Sequence, residues 1–286
     1  MMREADTLRG GLIGAHISRT RLPAALSMLC IDAGLALEFE LIDTAEDFDF
    51  DLSACLAACR DKGWNGVSVT HPHKIGAFEW LNGNQTDGVA KLGSVNMVVF
   101  GHATVGTNTD YTGFLSAWQA EMGSIAPGRV ALAGAGGVGR ALGHALAWLG
   151  ATEILILDAA VERADELAKS IGPVARTCSL AEAPALIRDF DGLVNATPIG
   201  TAEYPGSAFP SPIPGRPVWV FDAIYTPTET QFIQDSRAAG AKTITGFSLF
   251  KHMALRTFEA FTGLTPDAEQ MLPQLDDLKP RMEFES

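Results

Sequence analysis

Short apolar runs alternate along the chain with segments whose apolar residues recur every three or four positions. In the first hundred residues the order is Gly11–Gly14, Leu22–Leu35, Leu37–Ile42, Asp51–Lys62 and Val67–Thr70. This β-α-β-α-β rhythm predicts a largely parallel sheet covered by helices. Ser94–Phe100, bounded by Gly101 and followed by Thr104–Gly106, fits a short antiparallel hairpin before a helix that starts near Asp110. After Gly128 the rhythm restarts with Val130–Ala133, a helix through about Leu149, Glu153–Leu157 and a helix from Ala160 to about Ile171. Two more apolar strands, Gly192–Asn195 and Val218–Phe221, precede a helix over Thr230–Ala239 and a last strand near Thr243–Thr245. The second half therefore reads as a doubly wound sheet. From Phe247 to Phe261 the apolar residues return at helical intervals, and a shorter helix is expected after Asp267. These last helices have no strand of their own and must pack on one of the two sheets. Pro205–Pro217, with five prolines, reads as a loop.

Length and composition narrow the classes. A chain of 286 residues suggests two modest domains, and 47% hydrophobic against 19% charged residues supplies ample core. With 21 basic and 34 acidic residues the net charge is −13, which disfavours nucleic acid and anionic membrane surfaces as partners. No apolar run approaches a membrane span and the N-terminus lacks a signal-peptide core, so a cytoplasmic protein is expected. Cys30, Cys55, Cys59 and Cys178 form no C-x-x-C pair; buried free thiols are expected and no metal site.

The candidate chemistry begins after the strand ending at Ala133. Gly134-Ala135-Gly136-Gly137-Val138-Gly139 fits G-x-G-x-x-G between a strand and a helix, the context that gives this pattern its meaning. The first glycine permits a tight turn, the second lets backbone approach a pyrophosphate, and the third allows close helix–strand packing. Asp158, at the end of the next strand, stands where a carboxylate accepts hydrogen bonds from a ribose diol. A 2′-phosphate there meets like charge, and Ala159 and Ala160 supply no cation. NAD is thus expected over NADP, with Arg163 near enough in sequence to contact either.

Polar clusters at Ser18 and Thr20, Asn65–Lys74, Gly93–Asn96 and Asn108–Asp110, followed by the glycine turn, Asn195-Ala-Thr197-Pro, Asp222-Ala223-Ile-Tyr225 and Thr245-Gly246, occur in a fixed order. In this order and spacing the chain resembles the shikimate and quinate dehydrogenase family. The resemblance implies an α/β architecture: a substrate-binding and catalytic domain with a mainly parallel sheet (1–111), a Rossmann cofactor domain (112–246), and C-terminal helices (247–286) that return to the first domain. It implies reversible oxidation of a ring secondary alcohol of a shikimate- or quinate-like acid to the 3-dehydro ketone, in a cleft between the domains, by a monomer or homodimer. Lys74 and Asp110 match the catalytic pair. A lysine ammonium stays protonated at neutral pH unless its surroundings tune it, so Lys74 either moves a proton with Asp110 or anchors charge. Ser18 and Thr20 match hydroxyls that hold the substrate carboxylate, and Thr at the second place resembles quinate-accepting members. Thr70, Asn96 and Tyr225 match further substrate contacts, and Asn195, Thr197, Ala223 and Gly246 match cofactor contacts.

Two departures stand out. Arg21 occupies the place of a proline that here falls at Pro23, and Met253 aligns with a glutamine that binds ring hydroxyls in relatives. A thioether cannot replace an amide's donors, so either Lys251 or His252 supplies polarity or the substrate is less hydroxylated on that side. His73 stands where relatives carry an aromatic residue, and packing beside the substrate is expected of it. The alternatives are a paralogue acting on an amino-substituted or less hydroxylated ring, or a catalytically silent cofactor-sensing protein; a proton-transfer pair has no use in the latter.

Overall fold

The computed structural model describes residues 7–86 and 88–280. The first half runs β1 (Thr7–Gly14), α1 (Leu22–Asp32), β2 (Ala36–Asp43), α2 (Leu52–Asp61), β3 (Gly66–Val69), α3 (Lys74–Trp80), β4 (Met97–Phe100), β5 (Thr104–Thr107) and α4 (Thr109–Met122). The second continues with β6 (Arg129–Ala133), α5 (Gly137–Trp148), β7 (Glu153–Leu157), α6 (Val161–Ile171), β8 (Ala175–Thr177), α7 (Ala183–Leu186), β9 (Gly192–Asn195) and β10 (Trp219–Asp222), then α8 (Gln231–Ala238), β11 (Lys242–Thr245), α9 (Gly246–Thr262) and α10 (Ala268–Gln274).

The chain divides into two compact units. One holds the residues up to Gly113 together with Lys251–Leu278; Phe114–Phe250 form the body of the other. In the first, five strands lie in the order β2-β1-β3-β4-β5. β1, β2 and β3 are parallel, and β4 and β5 form the antiparallel hairpin. Alternation decides the faces. Val67 and Val69 of β3 point into a core with Leu56, Ala77 and Leu81 from α2 and α3. Gly66 points the other way, where a methyl group would strike the Phe261 ring at 2.6 Å, so α9 covers the second face.

In the second unit six parallel strands lie in the order β11-β10-β9-β6-β7-β8. The order reverses between β6 and β9, and that switch point is where such sheets bind ligands, beyond the carboxyl ends of the strands. Ala131, Leu155, Leu193 and Val220 from four adjacent strands share one core with Phe232 and Ile233 of α8, the continuous apolar runs expected of a sheet covered on both faces.

The sequence rhythm missed α3, β8 and α7. β8 and α7 are three and four residues long, too short for a period to show, and α3 has seven residues with Gly76 among them. Cys30 and Cys59 are buried while Cys55 and Cys178 are only partly so; burial pushes the Cys30 thiol up to about 11 and Cys59 to about 12. Among the described residues no helix is long and apolar enough to cross a membrane.

Candidate active site

In the first unit, the predicted residues gather at one edge of the sheet because the strand directions bring them there. β1, β2 and β3 end at that edge, the antiparallel β4 begins there, and β5 ends there opposite Met97. Thr70 and Lys74 follow β3, Asn96 precedes β4, and Asn108 to Asp110 follow β5. Thr70 is tied to β1 through its N–H on the Ile13 carbonyl (2.9 Å), and the Asn96 carbonyl accepts from Val69 N–H (2.8 Å).

At this edge Lys74 Nζ lies 2.5 Å from Asp110 Oδ2, with only 12% and 4% of the two side chains exposed. A carboxylate in the first turn of a helix ordinarily serves the free N–H groups there. Here Asn108 does that instead: its Oδ1 accepts from Tyr111 N–H at 3.1 Å. Asn96 Oδ1 takes Thr109 N–H at 2.7 Å, and its amide reaches Thr109 Oγ1 at 3.1 Å. With the helix start satisfied by two asparagines, Asp110 is left to pair with the ammonium. Lys74 is held from its own side, where its carbonyl accepts from Val95 N–H (3.1 Å).

Ser18 is exposed on the turn after β1, and Thr20 Oγ1 accepts from Leu22 N–H at 3.3 Å, ahead of α1. Arg21 caps α1 by its backbone and Pro23 sits in the first turn, where its missing N–H costs nothing. The His73 ring lies 5.1 Å from Phe50 and its Nε2 is 2.8 Å from Thr44 Oγ1. Met253 is half-buried, and α9 approaches α4 closely because Gly113 has no side chain; a methyl there would lie 2.9 Å from Met253 Cγ. Gly113 is three residues after Asp110, hence on the same side of α4. Of the two residues expected to compensate for Met253, Lys251 bonds Asp276 Oδ1 at 2.6 Å and His252 is 7% exposed.

The second unit presents the glycine turn at its switch point. Gly134 has φ +98°, and a side chain there would meet the Ala196 carbonyl at 2.7 Å; one on Gly139 would lie 1.9 Å from the Gly134 carbonyl. Gly136, by contrast, faces open space and begins α5 with no side chain capping it. Gly137 and Val138 form the first turn. Uncapped N–H groups at a helix start beneath a glycine that leaves room are what a pyrophosphate requires, so these residues fit a dinucleotide. Asp158 Oδ2 accepts from Ala135 N–H (2.7 Å) and Oδ1 from Ala160 N–H (2.8 Å). The carboxylate therefore braces the turn and keeps a lone pair on each oxygen for a further donor. Arg163 lies exposed in the first turn of α6.

Asn195 is fully buried, and its amide is saturated. It donates to the Ile199 carbonyl and Asp222 Oδ1, both at 3.0 Å, and accepts from Thr197 N–H (3.0 Å) and Oγ1 (2.7 Å). It shapes its loop from within. The residue it serves, Asp222, stood in the sequence only as part of a motif. Asp222 also accepts from Ile224 N–H (3.1 Å) and Thr230 Oγ1 (2.5 Å), and burial pushes its carboxyl up to about 6 despite those donors. Ala223 N–H bonds the Asn195 carbonyl at 2.9 Å, a side chain on Gly246 would lie 2.4 Å from the Ala223 carbonyl, and Tyr225 stacks on Phe250 at 5.7 Å.

Fold and site together define an oxidoreductase built on a Rossmann-type unit with a glycine turn and a second unit carrying a buried lysine–aspartate pair. The chain matches the shikimate dehydrogenase substrate binding domain over residues 12–98 and the shikimate/quinate 5-dehydrogenase domain over 117–203. It is 37% identical to a quinate/shikimate dehydrogenase (NAD(+)) of Corynebacterium efficiens over 93% of this chain and 96% of that one. It is 35% identical to a shikimate dehydrogenase (NADP(+)) of Streptomyces avermitilis over 96% of each. A quinate dehydrogenase from Corynebacterium glutamicum in complex with NAD superposes with a TM-score of 0.88 at 32% identity, covering 95% of this chain and 99% of that one. The chain belongs to the shikimate/quinate dehydrogenase family.

Proposed function

We propose that the protein reversibly oxidises a ring secondary alcohol of a quinate- or shikimate-like cyclic hydroxy acid to the 3-dehydro ketone, with NAD as the preferred acceptor. The 2.5 Å contact between Lys74 and Asp110 carries this reading. As hydride departs from the alcohol carbon, the hydroxyl proton must be taken up; an ammonium cannot accept a second proton, so Lys74 passes one of its own to Asp110 and its amine takes the proton from the hydroxyl. In the reverse direction the same pair returns it to the ketone oxygen. Ser18 and Thr20 hold the substrate carboxylate with neutral donors, and Thr70, Asn96 and Tyr225 bind around the ring. Asn96, already bonded to Thr109, also fixes the helix that carries Asp110. Met253 presents a thioether on its side of the ring, which favours a substrate with fewer hydroxyls to satisfy there.

The nicotinamide dinucleotide, when bound, supplies the hydride acceptor. Gly136, Gly137 and Val138 hold its pyrophosphate at the α5 N-terminus, with Gly134, Ala135, Thr197, Ala223 and Gly246 forming the walls and Asn195 setting the shape of its loop. Asp158 holds the ribose diol and repels a 2′-phosphate, and Arg163 lies one turn further along. The named relatives include both an NAD and an NADP enzyme, so the preference rests on Asp158 and the two alanines that follow it.

Initial rates with shikimate, quinate and their 3-dehydro forms, each with NAD and NADP, test the proposal. The expected result is turnover of at least one pair with a higher kcat/KM for NAD. A ratio at or below one overturns the cofactor assignment, and no turnover of any pair overturns the substrate class.

A further inference from the structure

The turn that carries Ser18 and Thr20 is held from a neighbouring strand by a single carboxylate. Asp43, the last residue of β2, accepts from His16 N–H at 2.9 Å and Ala45 N–H at 3.1 Å through Oδ1, and from Ile17 N–H at 3.0 Å through Oδ2. The same turn is closed by Thr20 N–H on the Ile17 carbonyl (3.0 Å), and tied at its start by Ala15 N–H on the His71 carbonyl (2.9 Å). His16 has φ +57°, a left-handed conformation that a non-glycine residue keeps only when its surroundings impose it. The imposing group is Asp43. Without it, two adjacent N–H groups lose their acceptor and the His16 backbone relaxes toward an ordinary φ, turning the Ser18 to Thr20 segment with it.

We infer that Asp43 is the positioning residue for binding of the substrate carboxylate: it touches no substrate but fixes the backbone that aims Ser18 and Thr20. This rests on the reading of Ser18 and Thr20 as the carboxylate site. Three N–H donors turned toward Asp43 stabilise its negative charge and commit the carboxylate to the backbone of the turn. The Ala45 N–H foremost, then those of Ile17 and His16, hold its carboxyl below the usual carboxylate range. The adjacent Thr44 bonds His73, the residue before Lys74, so one dipeptide reaches both the carboxylate turn and the start of the catalytic helix.

The test compares steady-state kinetics of Asp43→Ala, Asp43→Asn, Ser18→Ala and the surface control Glu38→Gln, using whichever cyclic acid the enzyme turns over. Asp43→Ala should raise KM for the acid by roughly tenfold, the factor of one lost charge-assisted hydrogen bond, with KM for NAD and kcat within about twofold of wild type. Asp43→Asn, which keeps one carbonyl acceptor, should fall between. If Ser18→Ala raises KM for the acid and neither Asp43 variant does, the inference fails while the site reading stands. If Ser18→Ala leaves that KM unchanged, the site reading fails and the inference with it. Asp43 is equally excluded as a positioning residue if Asp43→Asn lowers kcat and raises both KM values alike, the pattern of general damage.

Discussion

At the residue scale, the proton pair and the glycine turn were legible because their chemistry is local: a lysine and an aspartate at fixed places, and glycines where only glycine fits. What supports them was legible only in part. Asn108 caps α4 from three residues before Tyr111, a spacing open to the sequence, whereas Asn96 reaches Thr109 only because the hairpin folds it onto the start of the helix. Asn195 reads in sequence as a cofactor contact, yet all four of its hydrogen-bonding positions are spent inside the protein. The Lys74–Asp110 contact leads to a sharp expectation. Lys74→Ala lowers kcat by about 10²–10⁴, the usual worth of a general acid–base group, while NAD binding measured by fluorescence titration is unchanged. Asp110→Asn behaves similarly, and the double variant loses no more than the worse single one because the two act as a unit. Wild-type kcat in Lys74→Ala would make the lysine structural.

At the element scale, the strand–helix alternation carried most of the architecture, since parallel sheets covered on both faces leave unbroken apolar runs such as Ile154–Leu157. The sequence placed the hairpin correctly in kind but began its first strand at Ser94, three residues before Met97, because Ser94–Asn96 is buried like a strand although Asn96 turns its side chain to the start of α4 rather than to a ladder. α3 went unread for its brevity, although its first residue is Lys74. The turn between β6 and α5 depends on one contact: Gly139 sits so close that a methyl would lie 1.9 Å from the Gly134 carbonyl. Backbone cannot yield as a side-chain tip does, so Gly139→Ala pushes α5 off the sheet. The expected outcome is a lower melting temperature together with loss of NAD binding, even though residue 139 itself offers a cofactor nothing. A variant that binds NAD normally would mean the turn is more pliable than this geometry allows.

At the scale of the whole molecule, two buried groups respond to acid in opposite directions. Burial raises the Asp222 carboxyl from 3.8 to about 6, so its contribution to stability is present at low pH and lost as pH rises through about 6. Burial, with Lys251 and Arg256 adding to it, lowers His252 from 6.5 to about 4; its contribution is present above 6.5 and lost as pH falls through about 4. By linkage each amounts to about 3 kcal/mol, so within this window they offset one another. Calorimetry at about pH 5 and about pH 7 separates them: relative to wild type, Asp222→Asn should make the acid sample less stable compared with the neutral one, and His252→Phe should make it more stable. The central claim, that this molecule oxidises a cyclic hydroxy acid by moving hydride to NAD, is tested most directly by isotope transfer. Quinate carrying deuterium on the carbon of the reacting hydroxyl is incubated with the enzyme and NAD, and the cofactor is then weighed by mass spectrometry. The account predicts reduced cofactor bearing that deuterium; reduced cofactor without it, or none at all from quinate or the equivalent shikimate, would contradict it.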